Sequence, residues 1–367
     1  MGKRIQPDVM KVRNRAYQFT AIDDCIWQRT IRVYPNKRTE STIQILPLRN
    51  IFVFLCKNLI EIMFANRLLI IGNGFDLDLG LKTSYSDFIE SDNFKSIAHK
   101  YQLLNFLSEK FHTEKWIDLE NFLRLFAEQY KTGKALPKDT ETAFEKLRDS
   151  LCQYLTNIDF QLKTESVAAT LLKEVVDNGY FQILSFNYTD INQILLSLNI
   201  SNKDVQYTYI HGNLKDKSII IGFQDDVDVA KPTYFMIKSH SPYYRSCNVR
   251  AQLEEADEII FFGHSLGTTD YHYFSDFFKQ QSDLTSKKVK PKKIRIFTYN
   301  ESSRQEILAQ LRDMNEHRVN YLYDLNDLRI YRTMEDQEDI KLYFRELQEN
   351  GIEAHRRILD RASELLL

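Results

Sequence analysis

The chain has 367 residues, of which 43% are hydrophobic and 13% aromatic, enough to bury one sizeable core with an inserted or appended subdomain. This composition excludes a disordered or fibrous protein. Its 49 basic and 51 acidic residues give a formal net charge of −2, so the chain as a whole offers no electrostatic footprint for nucleic acid, and a small-molecule ligand is the better expectation.

The cysteines and the apolar segments indicate a cytoplasmic protein. The four cysteines are far apart and form no C-x-x-C pair, which argues against a zinc ribbon and a disulfide framework: Cys25, Cys56, Cys152 and Cys247. The most apolar stretch near the start, residues 51–64, is short and interrupted by Lys57 and Glu61. We therefore expect neither a membrane span nor a signal peptide, and no spacing typical of metal ligands is visible.

The first 62 residues differ from the rest in charge. They carry eleven basic and five acidic residues, whereas 38 basic and 46 acidic residues follow from Met63 onward. Residues 1–62 are either a real basic arm or an upstream stretch preceding a true start at Met63. The second interpretation is favoured because Met63 lies four residues before the strand that opens the fold.

That first strand is predicted at residues 67–71, a continuous apolar run typical of a strand buried on both faces of a parallel sheet. A turn follows at Gly72-Asn73-Gly74-Phe75-Asp76. Residues 85–176 then show helical spacing, which predicts a helical insertion after the first strand; its apolar positions include Trp116, Leu119, Phe122, Leu123 and Phe126.

Strand patterns return at residues 181–185, 207–210, 218–221, 258–262 and 293–297, with helical segments after several of them. This alternation predicts an α/β fold with a doubly wound, mostly parallel sheet over residues 63–331. Ser303 and Glu306 form a capping-box pattern that predicts a helix start. Two further helices, around residues 340–347 and 352–366, are expected in a C-terminal segment, residues 332–367, packed on the domain.

Small and polar residues follow the predicted strands, at the edge where open parallel sheets bind ligands. Gly72 and Gly74 would let the backbone approach a diphosphate. Leu77 replaces the third glycine of G-x-G-x-x-G, so a hydride-transferring dinucleotide site is not supported. Taken alone, a glycine turn that only joins strand to helix is about as plausible as a phosphate site.

Several motifs in combination resemble the AbiH family, although each is short. They occur in family order over about two hundred residues, and the first 62 residues fall outside them. The motifs are Gly72-Asn73-Gly74-Phe75-Asp76-Leu77 continuing through Gly80-Leu81-Lys82-Thr83-Ser84-Tyr85-Ser86-Asp87-Phe88, then Ser185-Phe186-Asn187-Tyr188-Thr189-Asp190, Ile210-His211-Gly212, Phe262-Gly263-His264-Ser265-Leu266-Gly267 with Asp270, and Trp116 with Glu120.

The resemblance implies a bacterial abortive-infection factor acting against phage, with a pocket like a distant version of the sirtuin NAD site and a sirtuin/DHS-like Rossmann-type sheet. It implies that NAD is the cofactor or substrate, with Asn187, Asp190 and His211 around the nicotinamide ribose as the catalytic set. The remaining dinucleotide contacts would come from Gly72, Asn73, Gly74, Phe75, Asp76, Gly263, His264, Ser265 and Asn300. His264 stands where sirtuins usually have Thr.

The residues themselves suit hydrolysis of NAD to nicotinamide and ADP-ribose. Nicotinamide leaves without protonation, so the site needs a group such as Asn187 to fix water or ribose hydroxyls, and a base such as His211. Asp190 would orient either group or favour developing positive charge. Outside such a site, Asn187 and Asp190 would be a strand-end turn and helix cap, and His211 a core histidine. Core packing is the simpler expectation for Phe75 and Tyr188.

Two rival functions remain. Gly263-His264-Ser265-Leu266-Gly267 matches the G-x-S-x-G elbow of serine hydrolases, with His317 or His355 as later histidines, but that hypothesis leaves the other motifs unexplained. Alternatively, the pocket is a non-catalytic NAD or ADP-ribose sensor. Protein deacylation is weaker, because the four-cysteine zinc module of sirtuin deacylases is missing. The insertion, residues 85–176, would be a lid, a sensor of a phage-derived trigger or a homo-oligomer surface.

Overall fold

The computed structural model describes residues 9–12, 15–18, 32–33, 67–113, 118–179, 181–201, 205–285 and 289–364. The chain divides into two compact units, one formed by residues 1–64 with 353–367 and the other by residues 65–352. In the first unit, strands β1 (Val9–Val12), β2 (Arg15–Gln18) and β3 (Arg32–Val33) form an antiparallel sheet in that order. Most of the predicted extension, residues 1–62, and Trp116 lie outside the described residues.

The second unit is built on a six-stranded parallel sheet. Its strands are β4 (Arg67–Ile71), β5 (Gln182–Ser185), β6 (Gln206–Tyr209), β7 (Glu258–Phe262), β8 (Lys293–Thr298) and β9 (Asp327–Arg332). The order β6-β5-β4-β7-β8-β9 puts the first of these strands inside the sheet and reverses the winding between β4 and β7. The predicted doubly wound α/β fold is confirmed.

Strand β4 shows why its sequence is apolar throughout. Leu69 and Ile71 pack into the core on one face of the sheet, and Leu68 and Ile70 pack into the core on the other. Side chains alternate between faces along a strand, so a strand covered on both sides needs apolar residues at every position.

One predicted strand is absent, and one strand of the sheet was not predicted. Residues 218–221 form no strand; Ile219 and Ile221 are buried in the core of the insertion, and the Ile220 amide donates to the His211 carbonyl at 2.8 Å. Burial against helices explains this apolar run as well as burial in a sheet would. Strand β9 was missed because it is an edge strand in which charged residues such as Arg329 interrupt the apolar ones.

Helices cover both faces of the sheet and build the insertion. In chain order they are α1 (Asn73–Asp78), α2 (Tyr85–Glu90), α3 (Asp92–Lys95), α4 (Gln102–Thr113), α5 (Leu119–Glu128), α6 (Thr140–Thr156), α7 (Val167–Glu174), α8 (Ile191–Ser197), α9 (Val249–Glu255), α10 (Tyr271–Gln281), α11 (Glu301–Met314), α12 (Val319–Leu325) and α13 (Gln337–Glu364).

The predicted helical insertion lies between β4 and β5. Helices α2 to α6 enclose a core of their own, to which Ile219, Phe223 and Met236 also contribute from the segment after β6. Helix α7, at the end of the predicted insertion, packs instead on the sheet through residues such as Leu172. The insertion and the segment after β6 are therefore joined by one hydrophobic core.

Two helix predictions also change. The two expected C-terminal helices are one continuous helix, α13, through Gly351, where a Cβ would lie 2.6 Å from the Cβ of Asn178, so glycine allows close packing there. Helix α11 begins after Asn300, whose side chain accepts from the Ser303 amide at 3.1 Å, so the cap is Asn300 and not Ser303. Within the described ranges, no helix is long and apolar enough to cross a membrane.

Candidate active site at the carboxyl edge of the sheet

The motif loops meet at one edge of the sheet because their strands are parallel and in register. Ser185 of β5 pairs with both Ile71 of β4 and Tyr209 of β6. Asn187 lies two residues after Ser185, and His211 lies two residues after Tyr209. Both residues therefore follow the ends of adjacent strands at the same level of the sheet. On the other side, Ile71 pairs with Phe262 of β7. The β4, β5, β6 and β7 loops therefore begin at the same level.

The β4 turn packs backbone to backbone against the β7 loop. The amide of Gly72 donates to the Phe262 carbonyl at 3.0 Å, and that of Gly74 donates to the Gly263 carbonyl at 2.9 Å. A Cβ at Gly72 would lie 2.6 Å from the Cα of His264. These glycines, predicted to let the backbone approach a diphosphate, thus permit contact between two loops, and their own amides have protein acceptors.

Asn187 is held by the same turn. Its Nδ2 donates to the Gly72 carbonyl at 3.0 Å and to Asp76 Oδ1 at 2.9 Å, while Thr189 donates to Asp76 Oδ2 at 2.9 Å. Asp76 is buried, and burial raises its pKa to about 7 despite the hydrogen bonds from Thr189 and Asn187. With both amide hydrogens committed, Asn187 offers Oδ1 as its acceptor for a ligand or water.

His211 is held by Asp270, which ends a 3₁₀ turn (Thr268–Asp270) after the β7 loop. His211 Nε2 lies 3.1 Å from Asp270 Oδ1, and His264 Nε2 lies 3.5 Å from Asp270 Oδ2. Burial and, to a smaller extent, the charge of Lys238 lower the pKa of His211 to about 4, although Asp270 opposes both. The neutral ring therefore carries its proton on Nε2, facing the carboxylate, and Nδ1 is left as an acceptor.

A buried lysine, Lys238, completes a cluster of charged and polar side chains with His211, His264, Asp270 and Glu120. Lys238 Nζ lies 3.4 Å from Asp270 Oδ1 and 2.9 Å from Oε2 of Glu120, the second residue of α5 in the insertion. Burial raises the pKa of Glu120 to about 7, against the effect of Lys238. Burial opposes ionisation of Asp270 too, but Lys238 and His211 hold its pKa well below the usual range. The ion pairs of Lys238 with Glu120 and Asp270 therefore link the insertion to the loops at the strand ends.

Sequence reasoning assigned no role to three of these residues. Glu120 and Asp270 entered only through the family resemblance, and Lys238 was not singled out at all. Lys238 is 1% exposed, yet it lies in a short 3₁₀ segment (Lys238–His240) with no motif around it. Only its burial marks it, and burial of a lysine in a loop has no sequence signature.

Other predicted site residues have local structural roles. Asp190 caps α8 by accepting from the Asn192 amide at 2.9 Å, and Asn300 caps α11, so the structure does not bring either into the buried cluster. Phe75 lies in the core, edge-on to Phe262 with ring centroids 5.4 Å apart. Asn73 and Ser265 are exposed on the two loops that meet.

Ser265 lacks the geometry of a nucleophile elbow. The left-handed residues of its loop are Gly263, with φ of +62°, and Leu266, with φ of +52°, whereas an elbow places the strain at the serine itself. Ser265 Oγ accepts from the Gly267 amide at 3.3 Å, and no histidine of the described residues hydrogen-bonds to it. His355 has a side chain outside the described part.

Two cavities in the described part lie away from this cluster. A cavity of about 490 Å³ is lined by residues of β9 and α11 such as Arg304 and Arg332, and one of about 600 Å³ lies beside β6 and α9 at Tyr209 and Gln252. Neither is lined by Asn187 or His211, which are each 5% exposed. No group of three or more metal-ligating side chains occurs among the residues described. The catalytic candidates are therefore covered in this conformation.

Comparison with known proteins adds one finding. The family model described as "Bacteriophage abortive infection AbiH" matches residues 68–289, more than half of the chain. The match includes the β4 turn, the insertion, Asn187, His211, Lys238 and Asp270. No curated protein matches the sequence.

Proposed function

Since this chain belongs to the AbiH family of bacteriophage abortive infection proteins, we propose that it serves phage defence by hydrolysing NAD at the nicotinamide bond. One observation carries the proposal. Asn187 and His211 emerge from adjacent strand ends, and each is oriented by its own carboxylate, the buried Asp76 or the half-buried Asp270. Such a pair, held rigidly before substrate arrives, is suited to placing one water against a ribose carbon.

The chemistry needs little acid assistance. Water attacks the ribose carbon as the bond to the pyridinium nitrogen breaks, and the bond electrons neutralise the leaving nicotinamide. Asn187 Oδ1 accepts a hydrogen bond from the water or a ribose hydroxyl, and His211 Nδ1 takes the proton lost by the water. Asp270 then faces an imidazolium and stabilises it. The products are nicotinamide, ADP-ribose and one proton, which His211 returns to solvent.

The diphosphate requires a different assignment from the glycine amides. Gly72 and Gly74 donate to Phe262 and Gly263, so the residues present do not fit a diphosphate through those two amides. The proposal gives this function to the exposed Asn73 and Ser265, which belong to the same two loops. Asp190 and Asn300 retain their capping roles.

Coverage of the site suits an effector that must stay silent before infection. Glu120 comes from the insertion, and Tyr85 of α2 and Tyr188 beside the site pack against the same hydrophobic core. Movement of the insertion on a phage-derived trigger would admit NAD. The same coverage also favours a second candidate, a sensor that binds NAD or ADP-ribose without turnover.

The test is nicotinamide release from NAD by the purified full chain, with NAD binding measured by calorimetry. Asn187→Ala and His211→Ala are each expected to lower the turnover rate by about 100-fold or more. His99→Ala and Asn105→Ala are matched controls, because these two residues hydrogen-bond to each other on the exposed surface of the insertion, and they should leave turnover unchanged. Binding without release would favour the sensor, and absence of both, with or without extract from phage-infected cells, would refute the proposal.

A further inference from the structure

The ammonium group of Lys238 is the least expected charge in the site. Its side chain is 2% exposed, and an isolated buried charge is strongly unfavourable unless it is paired and hydrogen-bonded. Here it contacts two carboxylates, Glu120 and Asp270. Lys238 and His211 contact the same oxygen atom, Asp270 Oδ1.

The backbone fixes Lys238 at this point. Its amide donates to the Phe223 carbonyl at 2.9 Å, and the Phe223 amide donates to the Met236 carbonyl at 3.0 Å. Gly222, with φ of +133°, allows this crossing, since a Cβ there would overlap the Met236 carbonyl oxygen. The lysine is therefore held by backbone hydrogen bonds within the segment after β6, which itself packs against the insertion.

Sharing of one carboxylate oxygen has a direct electrostatic consequence. A histidine paired alone with an ionised aspartate is favoured as imidazolium, whereas a second cation on the same oxygen weakens that preference. His211 faces Asp270, Lys238 and His264, with the rings of Phe186 and Tyr273 at 5.4 and 6.3 Å between centroids. Lys238 is the permanent positive charge in this set.

Glu120 acts on the other side of the ammonium group. It lies closer to Lys238 than Asp270 does, at 2.9 against 3.4 Å, and it belongs to a different part of the fold. Asp118, the cap of α5, and Asp270 are the other acids that act on Glu120. When Glu120 is ionised and in place, the positive field of Lys238 at Asp270 is partly cancelled.

We propose that Lys238 keeps His211 in its neutral, proton-accepting form by sharing Asp270 Oδ1 with it, and that Glu120 of the insertion holds the ammonium group at this point. Lys238 is thus a positioning residue that acts through Asp270, and Glu120 acts through Lys238. The consequence for turnover rests on the proposed NAD hydrolysis, whereas the charge coupling itself does not. The position of the insertion and the protonation of His211 are thereby linked.

The experiment follows the His211 ring by ¹⁵N NMR in the full chain, with the signal assigned by loss in His211→Gln. In the wild type, the low pKa of His211, about 4, keeps the ring neutral over the range from pH 5 to 8. Lys238→Met is expected to move the protonation midpoint upward into that range. Lys238→Gln keeps a hydrogen-bond donor for the carboxylates but removes the charge, so it too is expected to move the midpoint upward.

Two controls separate this effect from general damage. Lys238→Arg restores the cation and should return the midpoint toward the wild-type value. Lys131→Met removes a lysine from a surface ion pair with Asp228 and should leave His211 unchanged. A midpoint that is unmoved or moved downward by both neutral variants of Lys238 would overturn the proposal. If Lys238→Met does not fold, the direction of the Lys238→Gln shift decides it.

Turnover is a separate readout. If the protein hydrolyses NAD, Lys238→Met should shift the acid limb of the kcat/KM profile to higher pH and leave the high-pH plateau of KM unchanged. A protein without NAD turnover that still shows the upward NMR shifts refutes the proposed function and retains the charge coupling. Turnover without those NMR shifts supports the proposed function and refutes the charge coupling.

Discussion

Two aspartates of the candidate site have opposite electrostatic surroundings. Asp76 is buried and receives side-chain hydrogen bonds from the neutral groups of Asn187 and Thr189, so burial dominates and raises its pKa to about 7. Asp270 is half-buried, and Lys238 and His211 keep its pKa well below the usual range. Neutral donors only partly offset the loss of water around a carboxylate, whereas a cation next to it more than offsets that loss.

Asp76 therefore gives a prediction on stability. In the folded chain it holds a proton between about pH 4 and 7 that the unfolded chain has lost, so its contribution to stability falls as pH rises through that window. Asp76→Asn keeps acceptor and donor atoms for Asn187 and Thr189 without the charge. At pH 8 the variant should be more stable than the wild type by of the order of 2 to 4 kcal/mol, and the difference should shrink toward pH 4.

Urea unfolding at pH 5 and pH 8 measures this difference. Asp92→Asn, at an exposed position on α3, is the control and should change stability little at either pH. A variant at Asp76 that is less stable than the wild type at pH 8 would show that its carboxylate is stabilised when ionised.

At the scale of elements, the turn after β4 and the loop after β7 form one packed unit. Their contact uses glycine on both sides, because Gly74 and Gly263 approach more closely than any side chain would permit. This contact lies at the reversal of strand order, where open α/β sheets provide their ligand crevice. The contact between the two loops therefore fixes the turn after β4, which contains Asp76 and binds Asn187.

Gly263→Ala should reveal how strongly this contact holds. Gly263 and Gly133 both have left-handed backbone, with φ of +62° and +87°, so alanine at either position costs roughly 1 to 2 kcal/mol in backbone strain. At Gly263 the added Cβ would also overlap the backbone of Gly74 and Phe75, whereas at Gly133 nothing lies within 4 Å. We expect Gly263→Ala to lose at least about 2 kcal/mol more than Gly133→Ala in urea unfolding. Equal losses would mean that the two loops separate freely.

At the scale of the whole molecule, the insertion and the sheet work as one unit. The insertion shares its hydrophobic core with the segment after β6 and contributes Glu120 to the buried charges. Access to Asn187 and His211 therefore depends on contacts that lie far away in sequence. This organisation suits an abortive infection protein whose activity must wait for a signal.

The corresponding prediction concerns infected cells. Cellular NAD should fall after phage challenge in cells that express the wild-type chain, and it should remain at the uninfected level with Asn187→Ala or His211→Ala. His99→Ala serves again as the control and should permit depletion. Protection from phage without any fall in NAD in wild-type cells would contradict NAD hydrolysis as the means of defence.

The sequence by itself determined the main strands, the doubly wound class and the helical insertion, because these depend on local periodicity. The apolar run of β4 requires burial on both faces wherever the strand lies, and parallel strands bring Asn187 and His211 to one edge. Local patterns were ambiguous where two burial environments are chemically alike. Residues 218–221 are apolar enough for a strand and are buried against helices instead.

Only the tertiary structure decided which polar residues act together. Asp190 and Asn300 have capping roles that any strand-to-helix junction could supply, whereas Lys238 enters the site from a segment without a motif. The loop contact made by the amides of Gly72 and Gly74 could not be predicted for the same reason, since their acceptors lie nearly two hundred residues later in the chain. Hydrogen-bond partners and burial depend on contacts between distant segments, and no local pattern records them.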